Sequence, residues 1–147
     1  MKIAIASDHG GFDFKETLKQ HLNDQNFEVI DFGCNNKESC DYPDFGRPAA
    51  ESVANGTNDR AILICTNGIG MCMLANKIHG IRGALVYNVR TAEMTRRHHN
   101  SNVLCLGGQE FPIEELLQMA DVWLETEFDG GRHERRINKV LALDGEE

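Results

Sequence analysis

The sequence alternates short apolar runs with longer stretches in which apolar residues recur every three or four positions. Such an alternation of strand and helix patterns predicts a parallel sheet with helices on both faces. The apolar runs predict strands over residues 2–6, 28–32, 60–65, 82–87 and 102–107. The longer stretches predict helices over residues 12–25, 46–55, 69–78, 90–98, 111–125 and 131–143, with a polar loop over 33–44. The expected fold class is α/β: a single doubly wound five-stranded parallel sheet, a Rossmann- or flavodoxin-like three-layer sandwich.

Length and charge narrow the function classes. The 147 residues predict a single domain over residues 1–147. The net charge of −8 argues against a nucleic-acid partner, because nucleic-acid-binding domains are usually basic. No run of residues reaches the roughly 18 apolar positions that a membrane span requires, so we expect no membrane partner.

The cysteines indicate the compartment. The chain has 5 cysteines, an odd number, and none of them form a Cys-x-x-Cys pair. The N-terminal sequence MKIAIASDHGG reads as a first strand and not as a secretion signal. These features predict reduced thiols in a cytoplasmic protein, and the Cys/His spacing predicts no zinc site.

The last predicted helix, residues 131–143, is not needed to cover a five-stranded sheet. Two alternatives remain open for it. It packs on or reaches into a partner subunit, since symmetric dimers are the commonest assemblies, or it covers the sheet of its own chain.

Ligands of doubly wound sheets bind beyond the carboxyl ends of the strands, and two predicted strands end in reactive side chains. Asp8 and His9 follow the first strand, and the third strand ends at Cys65 and opens into the turn 66–70, Thr-Asn-Gly-Ile-Gly. The turn lacks the third glycine of a dinucleotide fingerprint and the Gly-Lys-Ser/Thr of a nucleotide loop. A cysteine-phosphatase loop would require arginine where Met71 stands, and a phospho-acceptor domain would require aspartate at the end of this strand.

Three groups of side chains are candidates for chemistry, each with a structural alternative. Cys65 precedes a helix N-terminus, which stabilises negative charge, but buried cysteines are often inert. His98 ends a predicted helix, where it serves either as a general acid or base or only as a partner of the helix dipole. Arg132 and Arg136 are four residues apart on one helix face, which suits a phosphate clamp or a solvated basic surface.

Six stretches together resemble one known family, ribose-5-phosphate isomerase B, in the sugar-phosphate isomerase group that also contains galactose-6-phosphate isomerase. They run in family order over almost the whole chain: IASDHGGFDFK, DYPDF, ILICTNGIGMCMLANK, GIRGAL, HHNSNVLCLG and FDGGRHERR. The resemblance implies a homodimer, or a tetramer, with the site shared across the subunit interface. It also implies no metal and no organic cofactor. The implied reaction is the reversible conversion of ribose 5-phosphate to ribulose 5-phosphate through an enediolate, a step of the pentose phosphate pathway.

The resemblance also assigns roles by position. Cys65 corresponds to the catalytic base and His98 to the histidine that opens the sugar ring. Substrate-binding positions correspond to Asp8, His9, Tyr42, Thr66, Asn67, Gly68, Ile69, Gly70, His99, Arg132 and Arg136. Among these, the two arginines are expected to bind the phosphate from the neighbouring subunit, and the turn 66–70 is expected to hold the enediolate.

The chain departs from the family pattern at four positions. The family turn is typically Cys-Gly-Ser/Thr-Gly, whereas Thr66 and Asn67 stand in its second and third places. His99 replaces an asparagine, and Gln109 stands where many members have a basic residue. We expect these changes to alter efficiency or sugar preference. The alternatives are an isomerase of a six-carbon sugar phosphate, such as allose or galactose 6-phosphate, and an inactive sugar-phosphate-binding subunit.

Overall fold

The computed structural model describes residues 1–145 and contains one five-stranded sheet. The strands are β1 (Lys2–Ser7), β2 (Glu28–Asp31), β3 (Arg60–Cys65), β4 (Gly83–Leu85) and β5 (Val103–Gly107). All neighbours pair in parallel, in the order β2-β1-β3-β5-β4. The predicted α/β fold is confirmed. The central strands are almost entirely buried because helices cover both faces, which explains their continuous Ile, Leu and Ala sequence.

The described part of the chain contains six α-helices, in the predicted order along the sequence. They are α1 (Phe12–Asp24), α2 (Tyr42–Ala54), α3 (Ile69–Ala75), α4 (Val89–His99), α5 (Ile113–Glu125) and α6 (Arg132–Leu141). Short 3₁₀ turns occupy His9–Gly11 and Ala142–Gly145. Within residues 1–145, no helix combines the length and the apolar character that crossing a bilayer requires.

The start of α2 differs from the prediction, which placed residues 33–44 in a loop and began the helix at 46. The helix begins at Tyr42 because Pro43 lies in its first turn, where a missing backbone N–H breaks no helical hydrogen bond. Asp44 adds a negative charge in the same turn, where the helix dipole favours it. This earlier start brings Tyr42 next to the ends of the central strands.

The two faces of the sheet have separate cores. Helices α1, α4 and α5 cover one face, with Leu18, Trp123 and Leu104 fully buried between them and the sheet. Helices α2 and α3 cover the other face, where Ala49 and Met71 pack against β1, β3 and β5. Each large apolar side chain that is fully buried contributes roughly 1.5–3 kcal/mol to folding.

Helix α4 reverses the chain direction after β4. It starts beyond the carboxyl end of β4 and returns to the amino end of β5, about 14 Å away over the nine helical steps from Val89 to His98. Hydrogen bonds fix its last turn there: Arg96 donates to Thr126 O at 3.2 Å, and Asn100 O accepts from Arg82 at 2.7 Å. The end of α4 therefore lies at the amino edge of the sheet.

A buried ion pair connects α1 to β2. The Lys15 side chain is fully buried, and its Nζ lies 2.7 Å from Asp31 Oδ2. Asp31 also accepts the Lys19 ammonium at 3.0 Å and the Gly33 N–H at 2.9 Å. Gly33 O in turn accepts the Ser7 N–H at 2.7 Å. This chain of bonds fixes the end of β1, where the first predicted site residues begin.

Candidate active site

The predicted site residues lie in two separate places. The carboxyl-edge group consists of Asp8, His9, Tyr42, Cys65 and the turn Thr66, Asn67, Gly68, Ile69 and Gly70. The amino-edge group lies at the end of α4 and the start of α6 and consists of His98, His99, Arg132 and Arg136. A cavity of about 400 Å³ is lined by the amino-edge group together with His133, Ile137 and Val140, and by no residue of the carboxyl-edge group.

Asp8 and His9 form the turn that follows β1. The buried Asp8 carboxylate accepts the Gly11 N–H at 3.1 Å and caps the 3₁₀ turn. The exposed His9 ring accepts the Cys40 backbone N–H at its Nδ1, at 3.2 Å. In the neutral imidazole the proton is therefore on Nε2, which can donate to an anionic ligand.

Cys65 ends β3 in a nearly closed environment, with 5% of its surface exposed. The Gly68 N–H donates to its Sγ at 3.2 Å, and this bond holds the sulfur against the turn. Gly68 has φ of 81°, which glycine adopts without strain. A side chain at Gly68 would also lie 2.7 Å from Leu85 Cδ1. The turn needs glycine at this position for two independent reasons.

The amide of Asn67 is oriented by the turn. Its Oδ1 accepts the Ile69 N–H at 3.0 Å, so the amide nitrogen is the atom that can donate to a ligand. Tyr42 covers the same turn, since a side chain at Gly70 would approach its ring to 2.7 Å. The Gly68 N–H therefore contacts the Cys65 sulfur directly, while the Asn67 amide belongs to the same turn and the Tyr42 ring covers it.

Thr66 packs against Gly10, and Gln109 connects both loops. Gln109 Nε2 donates to Gly10 O at 3.0 Å, and its backbone N–H donates to Thr66 O at 3.2 Å. The larger Thr66 side chain fits because Gly10 has no side chain of its own. Two of the departures from the family pattern are thus connected within one small network.

The amino-edge group is exposed and rich in nitrogen. His99 Nδ1 lies 3.3 Å from Thr95 Oγ1, and burial followed by the charge of His98 lowers the pKa of His99. Both arginines project from exposed positions on α6. Two guanidinium groups beside histidines suit a phosphate, because arginine forms paired hydrogen bonds with its oxygens.

Two residues of this region were not singled out from the sequence. The His133 ring is stacked on His98, with centroids 4.1 Å apart and planes 10° apart. Asp129 lies beside both, and the ligand atoms of the three residues are within 4.8 Å of one another, close enough to be considered as a metal site. The signal was present in the sequence, since His133 directly follows Arg132 in the resembling stretch FDGGRHERR.

Another thiol has a perturbed pKa outside this geometry. A hydrogen bond with Cys105 lowers the pKa of Cys72 to about 6, against the opposing effect of burial. The same bond and complete burial raise the pKa of Cys105 well above its usual value. Cys72 faces the start of β4, with its Sγ 3.9 Å from Gly83 O, and not the glycine turn. Its low pKa alone therefore does not make it the candidate base.

The chain belongs to the ribose/galactose isomerase family, whose sequence model matches residues 3–140. Among its relatives, the ribose-5-phosphate isomerase B of Escherichia coli K12 is 37% identical, over 97% of this chain and 96% of the relative. The solved structure of Clostridium thermocellum ribose-5-phosphate isomerase B superposes with a TM-score of 0.97 at 44% identity, covering 99% of this chain and 98% of that one.

A further solved structure contains a ligand. It is Mycoplasma genitalium ribose-5-phosphate isomerase B with bound ribulose-5-phosphate, and it superposes with a TM-score of 0.95 at 42% identity. The match covers 99% of this chain and 97% of that one. The resemblance found in the sequence is therefore confirmed at the level of family and fold.

Proposed function

We propose that this chain is an aldose–ketose isomerase that interconverts ribose 5-phosphate and ribulose 5-phosphate. The observation that carries the proposal is the full-length match to a ribose-5-phosphate isomerase B with bound ribulose-5-phosphate. The geometry of Cys65 supports it, because the Gly68 N–H holds its sulfur against a glycine turn. A turn of this kind can present other backbone N–H groups to an oxyanion. The whole chain, residues 1–147, acts as one isomerase domain in this proposal.

Cys65 is the proposed base. After ring opening, its sulfur takes the proton from C2 of the aldehyde form, and the electron pair moves to the carbonyl oxygen to give an enediolate. The sulfur returns the proton to C1 while the hydroxyl proton on O2 moves to O1. The turn 66–70 stabilises the negative oxygen with its N–H groups, with the Asn67 amide as an additional donor.

The amino-edge group supplies ring opening and phosphate binding in this proposal. His98 moves a proton between the anomeric hydroxyl and the ring oxygen. Arg132 and Arg136 bind the phosphate, and His99 replaces the usual asparagine as a polar contact. Asp8 and His9 bind the sugar beside the Cys65 half, with Tyr42 lining the pocket.

Two copies of the chain are needed to combine these parts. Cys65 lies at the carboxyl edge of the sheet and His98 about 14 Å back along α4, at the amino edge. A proton-transfer site requires its groups within a few ångströms of the same sugar. The separation supports a homodimer, or a dimer of dimers, in which each site takes the carboxyl-edge group of one subunit and the amino-edge group of the other.

The surface between β4 and α6 supports the same assembly. A cavity of about 630 Å³ separates α6 from β4 and α4, and no residue of α6 is fully buried. Apolar side chains that line this cavity are exposed, including Tyr87 at 62% and Leu143 at 58%. Exposed apolar surface of this kind is typical of subunit interfaces. The five free thiols support a reducing, cytoplasmic location.

The test is isomerase turnover by the wild-type chain with no metal added. Ribose 5-phosphate, allose 6-phosphate and galactose 6-phosphate are compared side by side under the same conditions. The proposal expects the highest kcat/KM with ribose 5-phosphate. Preference for a six-carbon phosphate would correct the substrate, and absence of turnover with all three would support an inactive binding subunit.

A further inference from the structure

The segment between α5 and α6 is fastened to the end of α4. Asp129 N–H donates to Arg97 O at 3.0 Å, and Arg97 Nε donates to both Asp129 carboxylate oxygens, at 3.1 and 3.3 Å. The chain therefore meets α4 one residue before His98, with both backbone and side-chain bonds. This double attachment fixes where α6 can start.

Two glycines then turn the chain back over His98. Gly130 and Gly131 have φ of 69° and 59°, and a side chain on either would meet nothing within 4 Å. Their role is therefore backbone conformation and not close packing. The His133 N–H donates to Gly130 O at 3.1 Å, which closes the turn and places the His133 ring over the ring of His98.

The stacked arrangement is compatible with one charged ring and one neutral ring. Burial, and then the charges of His98 and Arg132, lower the pKa of His133, so His133 is neutral near pH 7. A neutral aromatic face next to an imidazole that gains and loses a proton avoids the repulsion of two cations about 4 Å apart. His99 meets His98 differently, edge-on with centroids 6.2 Å apart.

The ring geometry does not suit a metal ion. A metal ion lies in the plane of each imidazole that binds it, along the nitrogen lone pair. The parallel rings of His98 and His133, 4.1 Å apart, direct their lone pairs along parallel planes that do not meet at one ion. Asp129 is also held by Arg97. Stacking explains the cluster better than coordination.

We propose that His133 is a positioning residue, whose stacked ring fixes the plane of His98 and so the direction in which His98 exchanges a proton with the sugar ring. The inference rests on the proposed function, in which His98 opens the ring. General acids and bases act only within hydrogen-bond reach and correct alignment, so a ring free to rotate loses rate. His133 itself needs to touch neither the sugar nor the phosphate.

Kinetics of His133→Ala and His133→Phe test this role on the assembled enzyme. His133→Ala removes the stacked ring, and we expect kcat for ribose 5-phosphate to fall about tenfold to hundredfold while KM changes less than about threefold. His133→Phe restores a flat ring without nitrogens and is expected to recover kcat to within about threefold of wild type. Asn138→Ala, a neutral change at an exposed position of the same helix, is the matched control and keeps wild-type kinetics.

Three results would overturn the inference: an unchanged kcat in His133→Ala, a loss confined to KM, or a His133→Phe variant as slow as His133→Ala. The last two would assign His133 to phosphate binding or to proton transfer through its nitrogens. If His133→Ala does not fold, His133→Asn replaces it with the same expected division between kcat and KM.

A spectroscopic measurement separates this inference from the proposed function. The Cε1–H resonance of His98, assigned by its loss in His98→Gln, is shifted by the ring current of the stacked His133. We expect it to move towards the position of an exposed histidine in His133→Ala and to stay in place in Asn138→Ala. An unmoved resonance contradicts the stack. If the wild type isomerises no sugar, the proposed function is wrong. The resonance of His98 still shows whether the His133 ring is stacked on it.

Discussion

The turn after β3 and the helix α6 carry the two halves of the proposed site, and they are built in opposite ways. The turn emerges from the most buried strand of the sheet, with Cys65 5% exposed and bonded to Gly68 N–H. Helix α6 has no fully buried residue. Its start contacts α4, where His133 stacks on His98, and a cavity of about 630 Å³ lies between its later residues and β4. In the proposed function, one half is complete in the folded chain, and the other is completed by a second copy of the chain.

The difference matches the structural demands of the two proposed tasks, proton transfer at the turn and phosphate binding on α6. Proton transfer at carbon requires a base held to within a fraction of an ångström, which a core strand provides. A phosphate clamp tolerates more freedom, since two guanidinium groups can adjust around three phosphate oxygens. We infer that mutations around Cys65 affect chemistry or folding, while mutations of the two arginines on α6 affect affinity.

The largest expected effect is that of Cys65→Ala. Removing the proposed base lowers kcat by about a thousandfold, since a positioned general base typically contributes factors of 10²–10⁴. The melting temperature stays close to wild type because alanine fits the same buried space. Cys72→Ala is the matched control, as the pKa of Cys72 is lowered to about 6 but its sulfur faces β4. Equal losses in both variants would contradict the assignment of the base.

Mixing variants tests whether the two halves come from different subunits. Cys65→Ala and Arg136→Ala are purified separately, then dissociated and reassociated together. The mixture is assayed with ribose 5-phosphate well below the wild-type KM, where the raised KM of Arg136→Ala makes that variant slow. If sites are shared, the mixed dimer has one site with both groups intact, and random pairing recovers about one quarter of the wild-type rate. Activity that stays at the sum of the two separate variants would show that each subunit contains a complete site.

The next largest effect concerns the ion pair that supports the end of β1. Asp31→Asn removes the nearer carboxylate of the fully buried Lys15 ammonium and leaves only Glu16, at 3.7 Å. We expect a loss of about 3 kcal/mol in the free energy of unfolding. Glu51→Gln is the control, since it breaks an exposed pair with Arg47 that solvent screens and that contributes little to stability. Denaturant titration measures both. A loss below that of the control would mean that the buried pair adds nothing.

The same carboxylate makes stability depend on pH. Burial raises the pKa of Asp31, but hydrogen bonds from Lys15, Gly33 and Lys19 outweigh burial and leave the pKa below its usual value. A lowered folded-state pKa stabilises the fold at pH values above the ordinary value near 4 and loses that contribution as pH falls through the folded-state value. Unfolding free energies of the wild type should therefore decline more steeply below about pH 4 than those of Asp31→Asn.

Removing one arginine of the clamp is expected to have a smaller effect, mainly on KM. Arg136→Ala deletes one charge-assisted contact to phosphate, worth about 2 kcal/mol, which raises KM roughly 30-fold with little change in kcat. Arg135→Ala is the matched control, because it removes the same charge from the same helix at a position that does not line the 400 Å³ cavity. A similar KM for both variants would mean that Arg136 acts only through its positive charge and not through a specific contact with the phosphate.

The sequence predicted the turn half far better than the α6 half. Strand β3 was placed at residues 60–65, as observed, because an unbroken apolar run followed by glycines has one reasonable interpretation. Tyr42 was assigned only by resemblance, and the helix that carries it was predicted to begin four positions too late, at 46 instead of 42. Pro43, which the prediction placed in the loop, lies in the first turn of this helix.

The separation of Cys65 from His98 could have been predicted from the sequence. In a parallel sheet every helix returns to the amino edge, so a residue at the end of α4 lies far from the ends of the strands. The contact between His98 and His133 could not be predicted in this way. It depends on backbone angles at Gly130 and Gly131 and on the bonds between Arg97 and Asp129, none of which has a periodic signal.

The smallest expected effect is that of restoring the family residues, Asn67→Thr with His99→Asn. Asn67 Oδ1 already accepts the Ile69 N–H within the turn, and the amide nitrogen stays available to the substrate. A hydroxyl at this position would add a second path for moving a proton. His99 is exposed, its Nδ1 lies near Thr95, and its lowered pKa keeps it a neutral contact near pH 7. We therefore expect kcat/KM for ribose 5-phosphate to rise by about threefold or less, with each single change contributing part of it.

Identical kinetics in the double variant and the wild type would show that both departures are neutral for this sugar. A rise of a hundredfold would show that the turn of the native chain is built for another substrate, and the six-carbon phosphates would then be measured on both proteins.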